Sequence, residues 1–160
     1  MKSTLIRIFS FLVTLALPVL LLTACSDSEP VSVQQTEQTG TASTSRWYSN
    51  EQVATGTEVF ARNCAVCHGE NAEGTVSDWR QRLDDGSLPP PPLNGTAHAW
   101  HHPNAVLLQV INNGGAAFGG KMPAFTEVLD ETEKLAAIAY FQNFWSDEIY
   151  AQWTQIGGPN

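Results

Sequence analysis

Residues 64–68 read Cys-Ala-Val-Cys-His, and no other stretch of the 160 residues narrows the possible folds as much. Two thiols three positions apart on a helical turn reach the same side, so both can be bonded to one flat group, with the next imidazole swung beneath it. This is the spacing of covalent c-type haem attachment: Cys64 and Cys67 each take one vinyl group and His68 ligates the iron. Other chemistries share parts of the pattern. A thiol–disulfide centre wants a βαβ setting, and no alternating strand pattern of any length appears. A structural zinc site wants four ligands, and no second Cys pair exists. A chance match is the third alternative for so short a pattern.

The remaining cysteine belongs to another part of the chain. Lys2 and Arg7 flank a run from Leu5 to Leu22 of mostly Leu, Ile, Val and Phe, broken by Ser10, Thr14 and Pro18. A basic start, a short apolar stretch and small residues at its end make a secretory signal, whereas a retained span would want about 20 cleaner apolar residues. The ending Leu22-Thr23-Ala24-Cys25 resembles the bacterial lipoprotein signal, in which cleavage precedes the Cys and its sulfur carries a diacylglycerol. An ordinary signal peptide with an incidental Cys is the plainer alternative. Residues 26–46, rich in Ser, Thr, Gln, Glu and Asp, have almost nothing to bury and are expected to form a disordered tether. Such a chain spans roughly 25 Å root-mean-square. The expected organisation is thus a lipoprotein signal peptide over 1–24, a lipidated Cys25 with its tether over 25–46, and a folded domain with a C-terminal tail over 47–160.

Composition limits the partners. Sixteen Asp and Glu stand against eight Lys and Arg, a formal net charge of −8, and cleavage after residue 24 would leave only six basic residues. That balance excludes a nucleic-acid binder, which needs clustered basic residues to displace counterions. The length excludes a barrel enzyme or a two-domain dehydrogenase.

An iron held by one imidazole takes a second axial ligand. The chain has two methionines, and Met1 leaves with the signal, so Met122 is the sole thioether of the processed chain. It lies in Gly119-Gly120-Lys121-Met122-Pro123-Ala124-Phe125, a glycine-rich loop stiffened by proline just before a helical pattern. Methionine commonly fills gaps in a core. A lone Met on such a loop, far downstream of the haem motif, favours ligation instead.

From about Trp47 to Trp145 the sequence resembles the class I c-type cytochromes, small monohaem electron carriers. Beyond the five-residue motif, Gly56 and Phe60 match the G-x-x-x-F of the family's first helix, and Lys121-Met122-Pro123 matches its sixth-ligand loop. Pro91-Pro92-Leu93-Asn94-Gly95 matches its P-x-L-x-G segment, and Tyr140 falls where the last helix crosses the first. The resemblance implies an all-α cytochrome c fold wrapped around one covalent haem c. It implies that the Pro91 carbonyl accepts the Nδ1–H of His68, and that Leu93 packs on the ring edge. His68/Met122 ligation leaves no open position and raises the potential relative to a bis-His iron, which means electron transfer rather than oxygen chemistry.

Local signals agree with that fold. Ser49 and Gln52 form a capping box opening a helix to roughly Asn63, with Val53, Gly56 and Phe60 on one face. Pro103 suits the first turn of a second helix, burying Val106, Leu107, Val110 and Ile111 and stopping at Gly114-Gly115. Asp130 and Glu133 cap a third, running to about Trp145 with Leu135, Ile138, Ala139 and Phe141 or Tyr140 inward.

Three features admit two readings each. His98, His101 and His102 around Trp100 could bind a divalent metal, or one could displace Met122, but no carboxylate or thiolate lies nearby in sequence; a loop along the haem edge is the simpler reading. Arg80 and Arg82, beside Trp79, either reach the haem propionates or are solvated helix charges. Ile149, Tyr150 and Trp153 in the tail either bind a partner or, as expected, pack on the domain. The expected function is that of an electron carrier, not an enzyme, lipid-anchored to a membrane of the bacterial cell envelope and facing the periplasm. Its partners would be a redox donor and acceptor. The alternatives are a haem peroxidase or gas sensor with a dissociable sixth ligand, and a cytochrome subunit of a larger oxidoreductase.

Overall fold

The structure, a computed structural model, describes residues 45–160. The expected signal peptide over 1–24, Cys25 and residues 26–44 of the expected tether lie outside the described residues. Five α-helices and two single 3-10 turns make up the domain, and among the described residues the one β-type pairing is an isolated parallel bridge between Leu88 and Gly120. The all-α expectation holds. No helix of the described residues is long and apolar enough to cross a membrane.

Helix α1 (Asn50–Asn63) starts at a complete capping box: the Ser49 side chain accepts from Gln52 N, and the Gln52 side chain accepts from Ser49 N. Helix α4 (Glu131–Gln142) starts the same way, from Asp130 and Glu133. These two make the principal crossing of the fold. At its centre is Gly56, where an added Cβ would sit 2.0 Å from the Ala136 carbonyl oxygen. The two backbones are in contact there, and only glycine permits it. Phe60, one turn on, packs on Tyr140 with ring centroids 4.8 Å apart.

Helix α4 stops at Gln142, three residues short of the sequence expectation. Ser146 caps a separate helix, α5 (Asp147–Gln155), by accepting from Ile149 N, so residues 143–146 turn the corner. The tail packs on the domain as expected: Tyr150 and Trp153 are fully buried and Ile149 partly. The N-terminal entry is tied to the same corner. Arg46 donates to Trp145 O and pairs with Asp147, while Trp47 N–H donates to Tyr150 Oη at 2.7 Å.

Helix α3 (Asn104–Asn113) follows Pro103, which is its N-cap rather than its first helical residue, and ends at Gly114. Of the four residues expected to be buried there, Leu107 is buried; Val106, Val110 and Ile111 are only half-buried. The helix packs on α4, and Leu107, Leu108 and Ile111 belong to the core clusters.

Candidate haem site

Helix α2 (Ala65–His68) is one turn long and carries the C-x-x-C-H residues directly after α1. Cys64 closes α1, donating its N–H to Phe60 O, and Cys67 and His68 both donate N–H to Cys64 O. Neither Cys64 nor Cys67 is in a disulfide; Cys64 is half-buried and Cys67 exposed. Burial pushes the Cys64 thiol up to about 11, with Cys67 adding a smaller effect. Reactive disulfide-exchange centres lower their thiol pKa instead, so the local electrostatics disfavour that alternative.

His68 is buried, and its Nδ1 lies 3.0 Å from the Pro91 carbonyl oxygen. Of the four consecutive prolines, Pro91 is therefore the one that reaches the ring. Burial lowers the His68 pKa, while the Pro91 bond works in the opposite direction. A neutral imidazole that donates Nδ1–H to Pro91 O would leave Nε2 as the nitrogen able to hold a metal.

Several residues hold Pro91 in place. The Ala72 carbonyl accepts from both Leu93 N at 2.7 Å and Asn94 N at 3.2 Å. Ala72 itself is fully buried with φ at 57°, the only non-glycine in the left-handed region among the described residues. Trp145 Nε1–H donates to Leu93 O at 2.7 Å from the far side. Leu93 is half-buried against the main core cluster. Nothing in the sequence marked Ala72, because alanine carries no turn signal. Trp145 carried one: a buried tryptophan needs an acceptor for its N–H.

Met122 enters from the other end of α3. It is half-buried and packs on a small cluster of Val59, Phe125, Leu129 and Ala137. Its carbonyl accepts from Gly115 N at 2.9 Å, and Gly120 N donates to Gly115 O. A Cβ at Gly114 would sit 2.6 Å from that Met122 carbonyl, so the loop fits because the helix ends in bare backbone. Two thiols beside a hydrogen-bonded imidazole, and a thioether on a glycine cradle, are the donor types that a c-type haem takes.

The other sequence candidates fall outside this set. The three histidines do not form a metal group: among the described residues no cluster of three or more His, Cys, Asp or Glu is placed to hold an ion. His98 stacks on Trp79 (4.8 Å) and meets His102 edge-on, and His101 stacks on Trp100. Arg80 and Arg82 are not helix charges, since their segment is turns and bends. The Arg80 guanidinium lies 4.2 Å over the Trp79 ring, and Arg82 donates to Gly86 O.

The comparisons with known proteins agree with this geometry. Residues 51–141 match the family described as Cytochrome C oxidase, cbb3-type, subunit III. The cbb3-type cytochrome c oxidase subunit CcoP of Azospirillum brasilense is 35% identical over 88 residues, covering 55% of this chain and 27% of that protein. The corresponding subunit FixP of Azorhizobium caulinodans is 36% identical over 87 residues, covering 53% of this chain and 25% of that protein. The chain spans about a quarter of the length of these curated relatives. No solved structure matches. With its match extending over more than half of its length, the chain belongs to the cbb3-type cytochrome c oxidase subunit III family and is a c-type cytochrome.

Proposed function

We propose that the domain holds one haem c through thioethers from Cys64 and Cys67, with His68 and Met122 as axial ligands, and serves as a one-electron carrier between redox proteins of the bacterial cell envelope. The observation that carries this reading is the His68 ring, buried and fixed by Pro91 O at 3.0 Å. Bound, the haem supplies an iron that cycles between ferric and ferrous states. The chain's own part is to keep the ligands and the surroundings nearly the same in both states. Pro91 fixes the imidazole tautomer, the proline run limits its movement, and Phe60 and Leu93 belong to the apolar packing around the motif. Met122 would supply a thioether as the second iron ligand, which raises the potential relative to a second imidazole.

Lipidation at Cys25, with a tether that ends before Arg46, which is bonded to Trp145 and Asp147, would keep the domain at the membrane, close to its donor and acceptor. The acidic balance of the chain suits a basic docking patch on a partner, with rates that fall as salt rises.

The test is a visible spectrum of the oxidised and reduced full chain, beside a Met122→Ala variant. A c-type reduced spectrum with a weak ferric sulfur-to-iron band, lost in the variant, is the expected result. A bis-His or high-spin spectrum unchanged by the substitution would reject Met122. Carbon monoxide binding by the native ferrous protein would favour a sensor or peroxidase.

A second reading is favoured by what the relatives are called. The domain would then be a fixed electron-entry subunit of a larger oxidase rather than a free shuttle. Co-purification with other subunits in mild detergent separates the two.

A further inference from the structure

Between the haem motif and the proline run, residues 76–88 form a loop that shapes itself by local polar contacts. The Asp85 carboxylate accepts from Ser87 N at 2.9 Å and Ser87 Oγ at 2.5 Å, and Leu83 N donates to Ser87 O. A hollow of about 500 Å³ opens within it, lined by Val76, Gln81, Arg82, Leu83 and Asp85 among others, so the loop is not set by core packing. Its second half makes contact with one place. Leu88 N–H donates to Gly119 O at 2.8 Å, and Leu88 and Gly120 form the parallel bridge. Asp85 pairs with Lys121, the residue next to Met122. The Arg82 guanidinium lies against Gly119, 3.2 Å from where a Cβ would be.

Two adjacent glycines give Gly119-Gly120-Lys121 a backbone with wide conformational freedom. On the α3 side the loop is held by Gly119 N–H to Ala116 O, Gly120 N–H to Gly115 O and Gly115 N–H to Met122 O, and Met122 packs on Val59, Phe125, Leu129 and Ala137; from the other direction the 82–88 contacts reach it. We propose that this loop is a brace on the Met122 loop, with Arg82, Asp85 and the Leu88 N–H as positioning groups that set how readily the thioether leaves the iron. The inference rests on the ligand role proposed for Met122.

The experiment uses the full haem-loaded chain in its ferric form, titrated with imidazole, which competes with the thioether, and followed by the shift of the main haem absorption band, which can be read with or without a thioether ligand. The variants are Arg82→Gln, Asp85→Asn and both together. Asp84→Asn is the control, a carboxylate of the same loop that takes no part in the ion pairs of the described residues. Exposed polar contacts are individually weak, so each single variant should tighten apparent imidazole binding about two- to fivefold, and the double variant about tenfold. The thermal midpoint should hardly change, because no core contact is touched. Equal binding by the double variant, the control and the native chain overturns the brace. So does a tightening that persists when the same substitutions are made in Met122→Ala, since the loop would then act by another route. If Met122→Ala itself binds imidazole no better than the native chain, the ligand assignment falls and the brace with it.

Discussion

The two ends of the candidate haem site are built differently. On the His68 side the ring is buried, its Nδ1 is bonded to Pro91, and Pro91 belongs to a proline run held by Ala72 from one direction and Trp145 from the other. On the Met122 side the residue is half-buried on a loop of glycines, held by a backbone bond to Gly115 and by an exposed ion pair at its neighbour. One end is a rigid seat and the other a fastening. With the proposed ligands the contrast has a physical sense: an imidazole fixed in one tautomer would set the iron's baseline, while the thioether end would be where the surroundings tune it. The same contrast separates what was legible in the sequence from what was not.

The largest effect should come from removing the covalent link that both ends share. Cys64→Ala with Cys67→Ala leaves about 115 described residues without their largest planar group, and a domain of that size has little margin. The expected outcome is a largely unfolded chain, seen as loss of most far-UV helical dichroism. Native-like dichroism would mean that the helix crossing at Gly56 suffices, and that neither end of the site needs the haem for its shape.

Next comes Gly114→Ala, which acts on the Met122 end alone. Gly114 has φ 78° and ψ −179°, a region essentially closed to residues with a Cβ, and the added atom would meet the Met122 carbonyl at 2.6 Å. The conformational strain alone costs about 1–3 kcal/mol. The sulfur-to-iron band should weaken or vanish while His68 ligation survives, as read from the reduced spectrum. A band of native intensity would show that the loop adapts more freely than its contacts indicate.

The sequence exposed the elements whose cause is local. Both capping boxes are written in four-residue patterns, and both are present at Ser49 and Asp130. The Gly56 crossing and the choice of Pro91 among four prolines followed from the family resemblance, and both contacts are present. What escaped notice depends on distant partners. Arg46 folds against Trp145 and Asp147, a hundred residues away, and an arginine after a polar stretch gives no hint of that. The contact of residues 82–88 with the Met122 loop has no sequence signal, because an ion pair such as Asp85–Lys121 leaves no local trace. Ala72 takes a left-handed backbone with no glycine or asparagine to announce it.

A smaller effect should follow from Trp145→Phe, which loosens the His68 end without touching the ligand. The substitution removes the bond to Leu93 O and leaves that carbonyl with one partner fewer. A loss of about 1 kcal/mol in unfolding free energy is expected, with the sulfur-to-iron band intact. Together with Gly114→Ala this forms a crossed pair: one variant should move stability with little spectral change, the other should move the spectrum. If Trp145→Phe also shifts the Met122 band, the two ends are mechanically coupled and the contrast between seat and fastening is too sharp.

The smallest effect is a pH dependence confined to the support behind the His68 end. Burial pushes the Tyr48 hydroxyl up to about 12, with the Arg46 guanidinium partly opposing it, and burial raises Tyr150 as well. Both lie in the corner where Arg46 and Trp47 meet Trp145 and α5, whereas the Met122 loop contains no tyrosine. The folded state therefore favours the neutral phenol. Its contribution is fully present below the unfolded pKa of about 10 and is lost as pH climbs from there towards 12, because the unfolded chain gives up its proton first. Thermal midpoints should accordingly decline between about pH 10 and 12, and Tyr48→Phe should make that decline shallower. Followed through the tryptophan fluorescence of Trp47 and Trp145, the change should report this corner. An alkaline loss of stability just as steep in Tyr48→Phe would place its origin elsewhere, with Tyr150, Tyr140 or the Lys121 end of the molecule as the next groups to substitute.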